Sequence, residues 1–249
     1  EWKSMSQRMF IPFIKKDIIE QFEGYNELQD LDWEHYRNKY GDISRLDRIL
    51  ENEGKDPNAF KASKQADVLM IFYLFTSEEL KEIFERLDYP FSGKMITKNI
   101  HYYEQRTSHG STLSRLVYSW VNTRSNRSKS WQYFREALIS DFKDIQGGTT
   151  QEGIHLGAMA GTVDMVQRAY TGVYVKDEIV WLEPRLPKEI KVLRLDLRIK
   201  GKCLKLKIDK KHVRVTYADG WNNNVLVGLS KKGTTKKLKL SKSHTFQYR

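Results

Sequence analysis

At Thr171-Gly172 the hydrophobic period of the chain changes from helical to alternating, and no single regular architecture accommodates both sides of that point. Upstream, residues from Ser63 to Leu74 are apolar nearly all round, which predicts a buried helix. Thr76-Ser77-Glu78-Glu79 supplies a cap and an acidic first turn for the next one. Further helices are expected at Thr112 to Asn122, at Ser128 to Phe142 with a Trp131/Phe134/Leu138 stripe, and at Gln151 to Tyr170. In the last of these, Gly157, Ala158, Ala160, Gly161 and Ala169 allow neighbouring helices a close approach. Downstream, apolar residues alternate with charged ones from Val192 to Ile199 and from Cys203 to Ile208, with breaks at Lys200-Gly201-Lys202 and Asp209-Lys210-Lys211. This pattern predicts antiparallel strands with one wet face. The expected fold is mainly α with a C-terminal β domain, divided into residues 1–172 and 173–249.

The same division explains the charge. Residues 173–249 carry 20 Lys and Arg against 7 Asp and Glu, and the rest of the chain is close to neutral. Such a basic block can contact nucleic acid, but lysines on the outward positions of strands produce the same count, so no nucleic-acid partner is expected. The longest apolar run, Ala66 to Phe75, is interrupted by Asp67 and is far below the roughly 20 residues of a membrane span. One cysteine, Cys203, excludes an intramolecular disulfide, and a cytoplasmic location is expected. The six histidines lie too far apart for a metal-binding signature. The chain opens on Glu1-Trp2-Lys3 without a signal-peptide pattern, which reads as a fragment.

The first 62 residues are uneven and read as long connecting loops. Their Trp33, Tyr36 and Tyr40 offer faces for stacking on sugars, or else they hold the loops down. Three later stretches carry candidate chemistry. Lys64-Gln65 opens the predicted buried helix, where an ammonium and a helix N-terminus can hold hydroxyl or phosphate oxygens. From His101 to Ser114, hydroxyls at Thr107, Ser108, Ser111, Thr112 and Ser114 surround His109 and Gly110 just before a helix; this is an anion cradle or an elaborate N-cap. From Gly147 to His155 a second glycine-rich entry lacks the order of a nucleotide P-loop. There, Glu152 and His155 are placed to position substrate or water, or Glu152 serves the cap.

The segments KQADV at Lys64 to Val68, YYEQRTSHGSTLS at Tyr102 to Ser114, GGTTQEGIHLGAMAGT at Gly147 to Thr162 and EPRLPKEI at Glu183 to Ile190 occur in an order that resembles glycoside hydrolase family 65. That family includes maltose, trehalose, kojibiose and nigerose phosphorylases and some α-glucosidases. The resemblance runs from about Ile11 to Gly201. It implies a partial (α/α)6 barrel followed by an antiparallel β-sandwich. It also implies sugar contacts at Lys64 and Gln65, and inorganic phosphate held by Ser108, His109, Ser111 and Thr112. Gly110 stands where the family often has Asp.

One departure bears on catalysis. The family's general acid is a Glu in a Gly-Pro-Asp-Glu-Tyr-like motif before KQA, and this chain has no such motif. Inverting cleavage needs an acid to protonate the leaving oxygen while water or phosphate attacks the opposite face. The expected function is therefore part of an inverting α-glucoside phosphorylase, with a disaccharide and phosphate as ligands and no cofactor. The chain alone would be inactive, and an N-terminal half would be its partner; a homo-oligomer is also admitted. The alternatives are a hydrolase, with Glu104 or Glu152 activating water, and a non-catalytic carbohydrate-binding fragment.

Overall fold

The computed structural model describes residues 1–145, 149–221 and 223–248, with the side chains of Thr149, Glu152 and Lys231 outside the described set. Its helical part contains α1 (Trp2–Met5), α2 (Trp33–Tyr40), α3 (Leu46–Asn52), α4 (Leu69–Leu74), α5 (Ser77–Arg86), α6 (Gly93–Glu104), α7 (Thr112–Asn122), α8 (Arg127–Leu138) and α9 (Leu156–Asp164). A π-helix, Met165–Tyr170, continues directly from α9. Local chemistry accounts for several starts. Thr76 and Glu79 form a full capping box on α5, and the Asp32 and Asn126 side chains accept the amides of His35 and Lys129 at the starts of α2 and α8.

The first 62 residues are more ordered than their composition predicts. α2 and α3 enclose a small apolar cluster of Leu31, Tyr36, Ile43, Leu46 and Leu50. Tyr36 is buried, and both its hydroxyl and that of Tyr40 donate to Glu53 at 2.8 and 2.7 Å. Within this cluster the aromatic residues act as packing. A two-stranded hairpin, β1 (Phe13–Ile14) and β2 (Ile18–Ile19), lies on α6. Asn99, fully buried, accepts from the Ile19 amide at 2.9 Å and donates to the carbonyls of Asp17 and Met95, each at 2.8 Å. The side-chain amide thereby meets its hydrogen-bonding needs while joining hairpin to helix.

The helix predicted from Ser63 starts only at Leu69. Residues 63–68 are held out of it because Ser63 pairs with Thr107 in an isolated parallel bridge. Lys64 and Gln65 therefore lie in a bend and not at a helix N-terminus. α7 has the predicted bounds. α8 ends at Leu138, short of the predicted Phe142, and the predicted helix from Gln151 to Tyr170 is divided between a 3-10 turn, α9 and the π-helix. α9 packs on α7 and α8. The approach is so close that a Cβ on Gly161 would sit 1.9 Å from Leu116 Cδ2.

Beyond Gly172 come β3 (Tyr174–Lys176), β4 (Ile179–Leu182), β5 (Leu193–Ile199), β6 (Lys202–Ile208), β7 (His212–Gly220), β8 (Asn224–Leu229), β9 (Thr234–Lys239) and β10 (Ser243–Gln247). They form two four-stranded sheets, ordered β10-β7-β6-β5 and β3-β4-β8-β9. The expected all-antiparallel arrangement is corrected by β4 and β8, which are parallel. A parallel neighbour needs a long crossover, and here the chain passes through β5, β6 and β7 of the other sheet before returning as β8.

Leu204, Leu206 and Ile208 of one sheet and Val225, Val227 and Leu229 of the other share a core. That core continues without a gap into Leu116, Phe134, Met165 and Tyr170 of the helical part. Lys205, Lys207, Lys236, Lys237 and Lys239 occupy exposed strand positions, so the basic block lies on the wet faces as the alternation predicts. Among the described residues no helix is long and apolar enough to cross a membrane, and no group of three His, Cys, Asp or Glu is placed to hold a metal ion.

Candidate functional site

The loop before α4 and the loop before α7 are joined backbone to backbone. The Ser63 amide donates to the Arg106 carbonyl at 2.7 Å, the Ser108 amide to Ser63 at 2.9 Å, and the Gly110 amide to Lys64 at 2.7 Å. Lys64-Gln65 and the hydroxyl-rich segment, 44 residues apart in sequence, thus become two sides of one structure. A third segment approaches from α3. The Lys64 ammonium lies 3.6 Å from the Asp47 carboxylate, and a Cβ on residue 110 would meet the Ser44 carbonyl at 2.3 Å and Lys64 Cγ at 2.9 Å. Glycine at 110 is accounted for by this crowding, because any side chain there would displace backbone.

Between Gln65 and the start of α7 opens a cavity of about 210 Å³, walled by Met70, Tyr73, Leu113 and Val117, with Ser114 on its lining. Gln65 and half of the Lys64 side chain are exposed. Ser108 and Thr112 are buried, the latter in the first turn of α7. Ser111 is the N-cap residue and makes no side-chain capping bond.

His109 has a left-handed backbone (φ 57°), and its ring turns into the protein. Nδ1 lies 2.9 Å from Ser114 Oγ and Nε2 lies 3.5 Å from Tyr133 Oη. Tyr118 meets the ring edge-on at 4.7 Å. The Tyr133 hydroxyl donates to Glu104 at 3.4 Å, which leaves its oxygen to accept from Nε2–H and Nδ1 to accept from Ser114. Burial, reinforced by the positive charges of Arg115 and Arg37, lowers His109 to about 3, so the imidazole is neutral at physiological pH. Arg115 also donates to the His109 carbonyl at 3.1 Å and pairs with Glu136 at 3.2 Å.

Glu104, the candidate base for a hydrolytic reaction, closes α6 and is paired with Lys129 at 2.6 Å. The carboxylate is nearly buried and committed to that ammonium and to Tyr133. Gly147, Gly148 and the Glu152 side chain lie outside the described residues. His155 is bound to Asp141, whose carboxylate accepts both its amide, at 2.9 Å, and its ring. The hydrogen bond from His155 holds the Asp141 carboxyl below its ordinary range.

Lys129, Tyr133 and Glu136 complete the surroundings of His109 and Glu104, yet nothing in their immediate sequence singles them out. Their spacing of four and three does put a cation, a phenol and a carboxylate on one stripe of α8. Arg115 and Arg37 carry no motif; Arg115 follows His109 by six residues at the start of α7, and only tertiary packing brings the charge of Arg37 to the ring.

The chain thus joins a helical part, which carries the cavity and the loop of hydroxyls, to a pair of four-stranded sheets. Its sequence matches the glycosyl hydrolase family 65 central catalytic domain over residues 1–164 and the family's C-terminal domain over residues 173–228. The chain belongs to glycosyl hydrolase family 65.

Among its relatives is an uncharacterized glycosyl hydrolase of Mycobacterium tuberculosis, 48% identical over 88% of this chain and 16% of that protein. Trehalose 6-phosphate phosphorylase of Lactococcus lactis is 31% identical over 86% of this chain and 28% of that enzyme. The fold is similar to a solved structure named "Putative kojibiose phosphorylase from human microbiome", with a TM-score of 0.75 and 25% identity over 98% of this chain and 30% of that one. The chain thus spans between about a sixth and a third of the length of these proteins.

Proposed function

We propose that this chain is the sugar- and phosphate-binding portion of an inverting α-glucoside phosphorylase, with residues 1–172 as the C-terminal portion of an (α/α)6 barrel and 173–249 as its β-sandwich domain. The single observation that carries this reading is the pair of backbone bonds from Ser108 to Ser63 and from Gly110 to Lys64, which hold the two loops side by side. In this reading, Lys64 and Gln65 hold the sugar hydroxyls. Ser108, Ser111 and Thr112 at the start of α7 receive phosphate, where amides and the helix dipole favour an anion. His109, neutral and tied to Ser114, orients that cluster, so the attraction for phosphate comes from the amides and hydroxyls around it and not from charge on the ring.

Phosphate attacks the anomeric carbon from the face opposite the leaving oxygen, and a general acid protonates that oxygen. The acid comes from the remainder of a longer enzyme, so the present residues bind without cleaving. Hydrolysis at this site would need a carboxylate to deprotonate water, and the ion pair of Glu104 with Lys129 makes that residue a poor base.

The test is product analysis with the longer enzyme, with and without phosphate. Release of β-glucose 1-phosphate, abolished by Ser111→Ala with His109→Ala, supports phosphorolysis. Free glucose formed at the same rate without phosphate moves the assignment to a hydrolase. Lys64→Ala and Gln65→Ala should each lower kcat/KM for the disaccharide by about 1 to 3 kcal/mol of transition-state binding. Unchanged kinetics at both positions would remove them from the site.

A further inference from the structure

At the opposite end of α7 from His109, a cleft of about 330 Å³ lined by helical and sheet residues opens at the surface and adjoins a second cavity of about 260 Å³. The two share Ser77, Thr123, Arg124, Glu183 and Arg185. Arg124, just past the C-terminus of α7, is the central group. One of its terminal nitrogens, Nη1, is buried and has no hydrogen-bond partner among the described residues, and Nη2 reaches only the Phe75 carbonyl at 3.4 Å. A buried guanidinium N–H left without an acceptor is costly. Burial and the nearby charge of Arg185 pull Arg124 down to about 10, against the opposing influence of Glu183 and Glu78. Neither carboxylate is within ion-pair distance of it, and Glu183 is bound to Arg185. Arg168, also on the cleft wall, is held by Asp164 and stacks on Trp120 at 4.9 Å.

From the unsatisfied Arg124 nitrogen, the second arginine beside it and the cleft they line, we propose that this junction is a binding site for a phosphate group. Arg124 would supply the direct charge-assisted bonds, with the Ser77 hydroxyl on the same wall. Tyr73 and Trp120, which meet edge-on at 5.0 Å, form an aromatic wall in the larger cavity suited to a sugar ring attached to that phosphate. Free inorganic phosphate and a hexose phosphate share the recognised group, and the volume of the cleft accommodates either.

Calorimetric titration of the longer enzyme that contains this chain distinguishes them. The Ser111→Ala/His109→Ala variant is titrated in parallel, because it removes any contribution of the loop at α7 and separates this proposal from the phosphorylase reading. In that variant, inorganic phosphate or glucose 6-phosphate should still bind at one site per chain. Arg124→Gln should weaken that binding at least tenfold, and Arg185→Gln severalfold, with circular dichroism confirming that both variants fold. Tighter binding of glucose 6-phosphate than of phosphate identifies a sugar phosphate as the ligand, and the reverse identifies the free anion. Should Arg124→Gln fail to fold, loss of binding in a folded Arg124→Lys variant serves the same purpose, since a single ammonium cannot reproduce the fork of donors. Absence of binding in the loop variant, unchanged affinity in the folded arginine variants, or equal binding of neutral glucose overturns the proposal.

Discussion

The Gly110 amide donates to the Lys64 carbonyl at 2.7 Å, and this bond, with Ser44 pressed against the same glycine, sets the spacing of the two loops that form the candidate site. Gly110→Ala forces a Cβ to within 2.3 Å of the Ser44 carbonyl. The substitution should destabilise the chain by about 1 to 3 kcal/mol, the range for inserting an atom into packed structure. A shift of the urea midpoint without a change of slope measures it. A variant as stable as the parent would show that the three segments do not meet.

The neutral state of His109 gives a pH dependence with a definite sign. Its ordinary value is 6.5 and its folded value about 3, so between these limits the unfolded chain binds more protons than the folded one. The stabilisation is complete above pH 6.5 and is lost as pH falls toward 3, with a slope from this group of about 1.4 kcal/mol per pH unit at most. Urea unfolding at a series of pH values should show this slope, and His109→Gln should flatten it between pH 6.5 and 4. A His109 resonance titrating near 6.5 in the folded chain would contradict the burial argument.

Lys129 and Glu104 should show strong coupling. Lys129→Met leaves a carboxylate only 10% exposed facing Tyr133 and should cost about 1 to 3 kcal/mol, whereas adding Glu104→Gln should recover part of the loss. A double-mutant cycle on unfolding free energies supplies the test, and additive losses would mean that the pair is only a surface contact.

Gly161 is the position where α9 depends on an absent side chain. Alanine would improve intrinsic helix propensity by roughly 1 kcal/mol. Even so, Gly161→Ala should destabilise, because its Cβ would fall 1.9 Å from Leu116 Cδ2. Shortening the opposing residue in Gly161→Ala/Leu116→Ala should cost less than the sum of the single losses, as read from thermal unfolding. Simple additivity would place α9 farther from α7.

The sequence alone determined those features that depend on local periodicity and capping. The switch at Gly172, the capping box at Thr76, the bounds of α7 and the alternating strands from Leu193 to Ile208 all follow from residue spacing, because each element buries one face of its own repeat. The four family landmarks were legible for the same reason: they are contiguous, and their residue types state their chemistry. α6 was not legible. Its buried positions Met95, Ile96, Asn99, Ile100 and Tyr103 include an amide whose burial makes sense only once the hairpin at Ile19 supplies its partner.

Tertiary structure decided the rest, by contacts between residues distant in the chain. The bridge from Ser63 to Thr107 holds residues 63–68 out of the helix that their composition favours, and so moves Lys64 and Gln65 from a helix start to a loop facing α7. β4 and β8 run parallel because the intervening strands belong to the other sheet, and strand alternation carries no record of direction. Lys129 and Tyr133 reach Glu104 and His109 only because α8 packs against α7. A side chain's periodicity is a property of its own segment, but its charge and hydrogen-bond partners belong to whichever segment the fold brings within about 3 Å, and it is these partners that define the candidate site.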